Sequence, residues 1–263
     1  MRRAIRRTQR ALSRALGQAR REVGVGVSRS VRQAREVLRG ALDAGTYLLH
    51  WPRFDRAHLG SDGHPHAERP PVLVVHGFMG TRGAMYPLEQ RLWHDGFTVF
   101  SRSLGLLNTG DVRRSASVIA GFVESILVRT GVPHVDVVAH SMGGLIALYY
   151  VKFLGGAGTV RKLVSMGTPY QGTWAGLLGV AALGGLSRGT WQMLPGSRLI
   201  EELQQGQLPA GPRYYNIRAR GDAVCPFERS RLPGSKEIVV PLGHASLVMS
   251  RDVYRRIRDS LLE

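Results

Sequence analysis

From residue 72 onward, short apolar runs alternate with longer stretches in which apolar positions recur every three or four residues. Val72-Leu73-Val74-Val75, just after Pro71, is too brief for a helix and rich in β-branched residues, which predicts a strand buried on both faces. Further strand-like runs fall at 97–100, 134–138, 161–166, 213–218 and 236–240, with helix-like segments near 84–94, 112–129, 143–153 and 246–261. Strands alternating with helices in this way predict a parallel sheet covered on both sides, the α/β class.

The first fifth of the chain has a different pattern. Ile5, Leu12, Ala15, Leu16, Ala19 and Val23 fall on one helical face, with Arg6, Arg10, Arg14 and Arg21 mostly elsewhere, which predicts a basic amphipathic helix. Gly24 and Gly26 interrupt it, and a second helical pattern through Val31, Val37 and Leu42 runs on toward Tyr47-Leu48-Leu49. Pro52, Gly60, Gly63, Pro65, Pro70 and Pro71 then mark a linker. The expected organisation is a basic helical extension over 1–51, a linker over 52–71 and an α/β domain over 72–263.

Charge sharpens that division. The net charge is +17, and twelve arginines against Glu22, Glu36 and Asp43 put +9 of it before residue 51, so the folded domain need not explain it. An amphipathic helix of this kind suits an anionic membrane surface, with residues 1–23 as the contact. Nucleic acid is disfavoured, because no aromatic residue interleaves the arginines before Tyr47. An organellar transit peptide and a simply solvated tail are the other readings. The single cysteine, Cys225, leaves no internal disulfide, and neither a secretory signal nor a spanning segment is evident, so the expected location is cytoplasmic or peripheral to a membrane. His58, His64 and His66 cluster loosely without a thiolate or spaced carboxylate, so no metal is expected.

The chemistry concentrates around Ser141. Val135-Asp136-Val137-Val138-Ala139-His140-Ser141-Met142-Gly143-Gly144 reads as a strand, a serine among small residues, then an apolar helix. A serine presented at a strand's end sits on a sharp strained turn, so positions two before and two after it must be small; Ala139 and Gly143 satisfy this. On such an elbow the triad partners follow in the order acid, then histidine. Of nine histidines only His244 lies beyond Ser141, in a loop before the last helix, and it is the candidate base. The acid must come from Glu201, Glu202, Asp222, Glu228 or Glu237. Asp222, in a Gly-Asp turn at the end of a strand, is the first choice and Glu228 the second.

Val72–Val75 ends in His76-Gly77-Phe78-Met79-Gly80, the place for a first oxyanion-hole loop, so the backbone N–H groups of Phe78 and Met142 are the expected donors. His76 is expected to serve as a structural hydrogen-bonding group. Residues 170–208, with Trp174, a Gly-rich apolar run and Trp191, read as an insertion that is either a mobile lid or a fixed cap. Phe78, Met79, Tyr170 and Trp174 are the expected substrate contacts.

Taken together, His76-Gly77-Phe78, Ala139-His140-Ser141-Met142-Gly143-Gly144, Gly167-Thr168-Pro169 with Gly172-Thr173, Gly221-Asp222 and Gly243-His244 resemble the bacterial triacylglycerol lipases and related esterases of the α/β-hydrolase superfamily, over about residues 70–263. The elbow has Ala139 where G-x-S-x-G has glycine, as in small bacterial lipases. The resemblance implies a cofactor-free hydrolase of acyl esters or lipids, with Ser141, Asp222 and His244 as triad. Thioesterases, amidases and acyltransferases share the fold, so it fixes acyl-enzyme chemistry more firmly than substrate. Membrane-surface binding as the main role, and a scaffold without catalysis, are the competing readings.

Overall fold

The computed structural model describes residues 42, 43, 45, 46, 69–105, 107–175 and 187–263. The extension over 1–51 (apart from those four positions), most of the linker, and residues 176–186 of the insertion lie outside the described residues. All elements named below belong to the unit Asp43–Glu263.

Six strands form one parallel sheet in the order β2-β1-β3-β4-β5-β6. They are β1 (Val72–Val75), β2 (Val99–Ser101), β3 (Val135–His140), β4 (Val160–Met166), β5 (Arg213–Ala219) and β6 (Lys236–Val240). Between and after them run α1 (Arg82–His94), α2 (Val112–Thr130), α3 (Met142–Phe153), α4 (Arg188–Gln192), α5 (Arg198–Gln204), α6 (Ser246–Met249) and α7 (Arg251–Leu262).

The two-residue period of a strand sorts its side chains between two cores. Leu73 and Val75 of β1, with Val135, Val137 and Ala139 of β3, pack with Ile119, Val123 and Ile126 of α2 and Leu145 of α3. Val72, Val74 and Val138 point the other way, onto Met85, Leu88 and Leu92 of α1 and Val253, Ile257 and Leu261 of α7. Burial on both faces is why β1 reads as an unbroken apolar run. The edge strand β6 departs furthest from this, leaving Lys236, Glu237 and Val239 exposed.

Capping chemistry sets the helix ends. Asp111 accepts from the Arg113 N–H at 2.8 Å to start α2, and Gly131, at φ +68°, ends it. The helix expected over 246–261 is two, because Ser250 is extended and its hydroxyl accepts from the Asp252 and Val253 N–H groups at 3.2 and 3.4 Å, capping α7 and ending α6. The strand expected at 97–100 runs Val99–Ser101, with Phe97 buried in the turn before it. Within the expected insertion, Ser187 and Ser197 cap the short helices α4 and α5. Among the described residues no helix is long and apolar enough to cross a membrane, and no cluster of three His, Cys, Asp or Glu is placed to hold a metal.

The chain leaves β1 toward β2 on one side, then returns past it to β3 on the other. The carboxyl ends of β1 and β3 thus flank the point where strand order reverses, the place where open parallel sheets form their clefts.

Candidate active site

Ser141 joins β3 to α3 in a conformation that L-residues rarely adopt, φ +55° and ψ −129°. Only an over-determined surrounding holds such a residue. Its N–H donates to the Met166 carbonyl at 3.0 Å at the end of β4, and its carbonyl accepts from the Gly144 N–H at 2.9 Å. The helix crosses β1 so closely that a Cβ on Gly143 would lie 2.6 Å from the Val75 carbonyl oxygen and 2.8 Å from that of His76. Gly77 packs against the serine itself: a Cβ there would meet Ser141 Cβ at 2.7 Å and Oγ at 3.3 Å. The end of β1 and the serine turn are therefore in van der Waals contact through two positions without side chains.

His76 is fully buried, and burial lowers its pKa to about 4. Its Nε2 accepts from the Leu104 N–H at 3.2 Å, which leaves the proton on Nδ1, 3.1 Å from the Gly77 carbonyl. It is the structural hydrogen-bonding group expected of it. Phe78 is half-buried and packs on the core shared by α2 and α3, and Met79 turns the chain at φ +49°. Met142 is completely buried at the first turn of α3.

The expected acid and base, Asp222 and His244, meet beside this turn. His244 Nδ1 lies 2.7 Å from Asp222 Oδ2. The other carboxylate oxygen, Oδ1, accepts from the Val224 and Cys225 N–H groups at 2.9 and 2.7 Å, so the loop after β5 holds one oxygen while His244 meets the other. The alternatives are engaged elsewhere or face water: Glu228 and Glu201 are exposed, Glu202 pairs with Arg113 and Glu237 with Arg218. Gly167, at φ +58°, closes the floor, since a Cβ there would lie 3.1 Å from Asp222 Oδ2 and 3.3 Å from His244 Nδ1.

Sequence reasoning missed His140. Its ring lies 4.6 Å from that of His244, and its Nε2 is 3.3 Å from the His244 carbonyl oxygen. Burial, then the neighbouring His244, hold His140 well below the ordinary histidine pKa, so it stays neutral. It stands in the elbow run Ala139-His140-Ser141-Met142-Gly143-Gly144, and its place immediately before the serine was the available signal.

Two expected substrate contacts part company. Trp174 is 55% exposed, as are Trp191 at 50% and Val224 at 42%. The Thr173 hydroxyl donates to the Val224 carbonyl and its N–H to the Met193 carbonyl at 2.7 Å, which ties the three segments together. Tyr170 instead is buried and lines a side cavity of about 850 Å³ with Leu148, Lys152, Leu203 and Tyr214, whose lining includes none of Ser141, Asp222, His244 or Phe78.

Comparison with known proteins follows the same lines. Residues 70–185 match the family described as alpha/beta hydrolase fold. The mature form of the Bacillus licheniformis lipase BlEst2 superposes with a TM-score of 0.64 at 15% identity, over 76% of this chain and 94% of that one. The chain has the α/β-hydrolase fold. Aspergillus fumigatus lipase B, another structure of this kind, gives a TM-score of 0.62 at 15% identity, over 78% of this chain and 56% of its own. Among curated sequences, triacylglycerol lipases of Pseudarthrobacter phenanthrenivorans and Burkholderia plantarii are each 27% identical over 114 residues, 41% of this chain. The match spans only about a third of the length of either relative, 35% and 31%. This α/β-hydrolase fold resembles those of lipases and esterases, and the serine turn, the Asp222–His244 pair and the turn after β1 sit together at one end of its sheet.

Proposed function

We propose that the protein is a serine hydrolase of carboxylic esters. The observation that carries this reading is the 2.7 Å contact between Asp222 and His244 Nδ1, beside a serine held at φ +55°. With Asp222 accepting from Nδ1–H, the lone pair of His244 sits on Nε2 and can take the proton of the Ser141 hydroxyl. The serine oxygen adds to the ester carbonyl, and negative charge moves onto the former carbonyl oxygen, where the Phe78 and Met142 N–H groups receive it. Collapse expels the alcohol, protonated by His244, and leaves an acyl-serine. Water, deprotonated by His244, then releases the acid and restores the hydroxyl.

Trp174 is exposed, and its neighbour Thr173 bonds to Val224 on the loop that carries Asp222, which favours an ester with an apolar acyl part. The names of the relatives, triacylglycerol lipases, point the same way. Residues 1–23 are the proposed contact with an anionic lipid surface, tested by co-sedimentation with phosphatidylglycerol vesicles before and after their removal.

The test of the enzyme reading is hydrolysis of short to long acyl esters, soluble and emulsified, by wild type and Ser141→Ala. Activity in the wild type alone, with a fluorophosphonate adduct on Ser141, is the expected result, and the preferred chain length separates esterase from lipase. A folded wild type that cleaves no ester and takes no fluorophosphonate label sinks it.

A further inference from the structure

Asn108 lies in the loop between β2 and α2, far in sequence from every residue of the proposed triad. Its backbone is left-handed, φ +45°, a region that among residues with side chains Asn tolerates best. Its side chain is buried and reaches back to the turn after β1: Nδ2 donates to the carbonyl oxygens of both His76 and Gly77, each at 3.2 Å. The opposite end of the amide is held in turn, since Ser115 Oγ of α2 donates to Oδ1 at 3.4 Å. Leu104, in the same loop, donates its N–H to His76 Nε2. The next residue is anchored as well: the Thr109 carbonyl accepts from the Gly189 N–H at 3.1 Å and from Ser187 Oγ at 2.8 Å, on the segment that ends the expected insertion.

The consequence follows from peptide geometry. The Gly77 carbonyl and the Phe78 N–H belong to one planar trans unit, so they point in opposite directions. Whatever fixes the Gly77 carbonyl fixes the Phe78 N–H. A glycine imposes little torsional preference of its own, and Gly77 must be glycine because Ser141 fills the space a Cβ would need. The Gly77 carbonyl also accepts from the Gly80 N–H at 3.2 Å and faces His76 Nδ1 at 3.1 Å, both within the turn itself, whereas the amide of Asn108 ties the two carbonyls on either side of Gly77 to the loop before α2.

We infer that Asn108 is a positioning residue for ester hydrolysis: it aims the Phe78 N–H at the developing oxyanion by clamping the His76 and Gly77 carbonyls. The inference rests on the serine-hydrolase reading above. Asn108 touches neither substrate nor the reacting atoms, so its removal acts on the transition state and leaves ground-state binding nearly alone.

Two variants test it on a soluble nitrophenyl ester. Asn108→Gly keeps the left-handed backbone and deletes the clamp; Asn108→Asp keeps the size but sets a carboxylate against two carbonyls. Outright loss of one oxyanion donor costs on the order of 100- to 1000-fold, so a donor retained but loosely aimed is expected to lower kcat by about 10- to 100-fold in the glycine variant and by more in the aspartate variant. KM should stay within about twofold, and an alkyl boronic acid, whose tetrahedral adduct uses the same donors, should bind more weakly by the same factor as kcat falls. Folded variants with kcat within about threefold of wild type, or with the loss confined to KM, overturn the inference. Should neither variant fold, Ser115→Ala, which frees the far end of the amide, is expected to lower kcat several-fold at constant KM, and an unchanged kcat there also overturns it. A wild type silent toward every ester and toward a fluorophosphonate brings down the hydrolase reading, and this inference with it; an active wild type, a silent Ser141→Ala and unaltered Asn108 variants bring down the inference alone.

Discussion

The imidazole of His140 packs 4.6 Å, centre to centre, from that of His244, and its Nε2–H donates to the His244 carbonyl at 3.3 Å. The residue before the serine thereby holds the loop that carries the proposed base. Because burial keeps His140 neutral, it presents no second charge to an imidazolium forming on His244. His140→Ala is expected to lower kcat by about tenfold with KM little changed, as loss of alignment does. His140→Gln, which can still donate to that carbonyl, should recover most of the loss; equal defects in both variants would remove the hydrogen bond from the account.

Asp222→Asn tests the acid separately from the loop it sits in. Its carbonyl oxygen can still accept from the Val224 and Cys225 N–H groups, so the fold should persist. The amide cannot hold a proton-bearing Nδ1 as a carboxylate does, and kcat on an ester should fall by about 1000- to 10,000-fold. Thermal unfolding and kcat measured together check both halves of the expectation.

Gly143→Ala should damage the fold and the site at once. Its Cβ would sit 2.6 Å from the Val75 carbonyl oxygen, a backbone atom at the end of a strand paired on both sides, which cannot swing away as a side chain could. Forced separation of α3 from β1 is expected to cost about 1–3 kcal/mol, seen as a fall of several degrees in Tm, and to pull the Met142 N–H off its target.

Two buried groups give stability opposite slopes with pH. His76 takes up a proton at about 4 in the folded chain against 6.5 when unfolded, so the unfolded state binds more protons between those values and stability falls as pH drops from 6.5 to 4. Glu89, buried 3.6 Å from Arg82, has its pKa raised by burial from 4.5 to about 7; the folded state keeps a proton that the unfolded chain releases, and stability falls as pH rises through that window. Each contributes roughly 3 kcal/mol at most. Urea unfolding between pH 4 and 7.5 should show Glu89→Gln losing stability only toward acid and His76→Gln only toward neutral pH. Curves parallel to wild type would show that these groups titrate as in the open chain.

The serine turn, the sole histidine after it and the βα rhythm were legible because each is a local or ordinal property of the sequence. The small residues around Ser141 are demanded by an adjacent crossing, and triad order leaves one histidine to choose. What was not legible is contact through space: His140 meets His244 across 104 positions and Asn108 meets His76 across 32. Tyr170 reads like the other aromatics near the site, yet its ring turns into the core, a choice of side that no periodicity in a loop encodes. The break at Ser250 was readable in principle, since a serine ahead of Asp252 is a capping signal, but the apolar spacing runs through it without interruption.

The three proposed reacting groups hang from strands of unequal protection. Ser141 is rooted in β3, paired on both sides, whereas His244 follows β6, which has a neighbour on one side only and presents Lys236, Glu237 and Val239 to water. Fraying of that border would carry the base away while the centre of the sheet stays closed. Amide exchange in β6 should accordingly outpace exchange in β3, and catalytic competence would be set by how firmly the last strand is zipped to its neighbour.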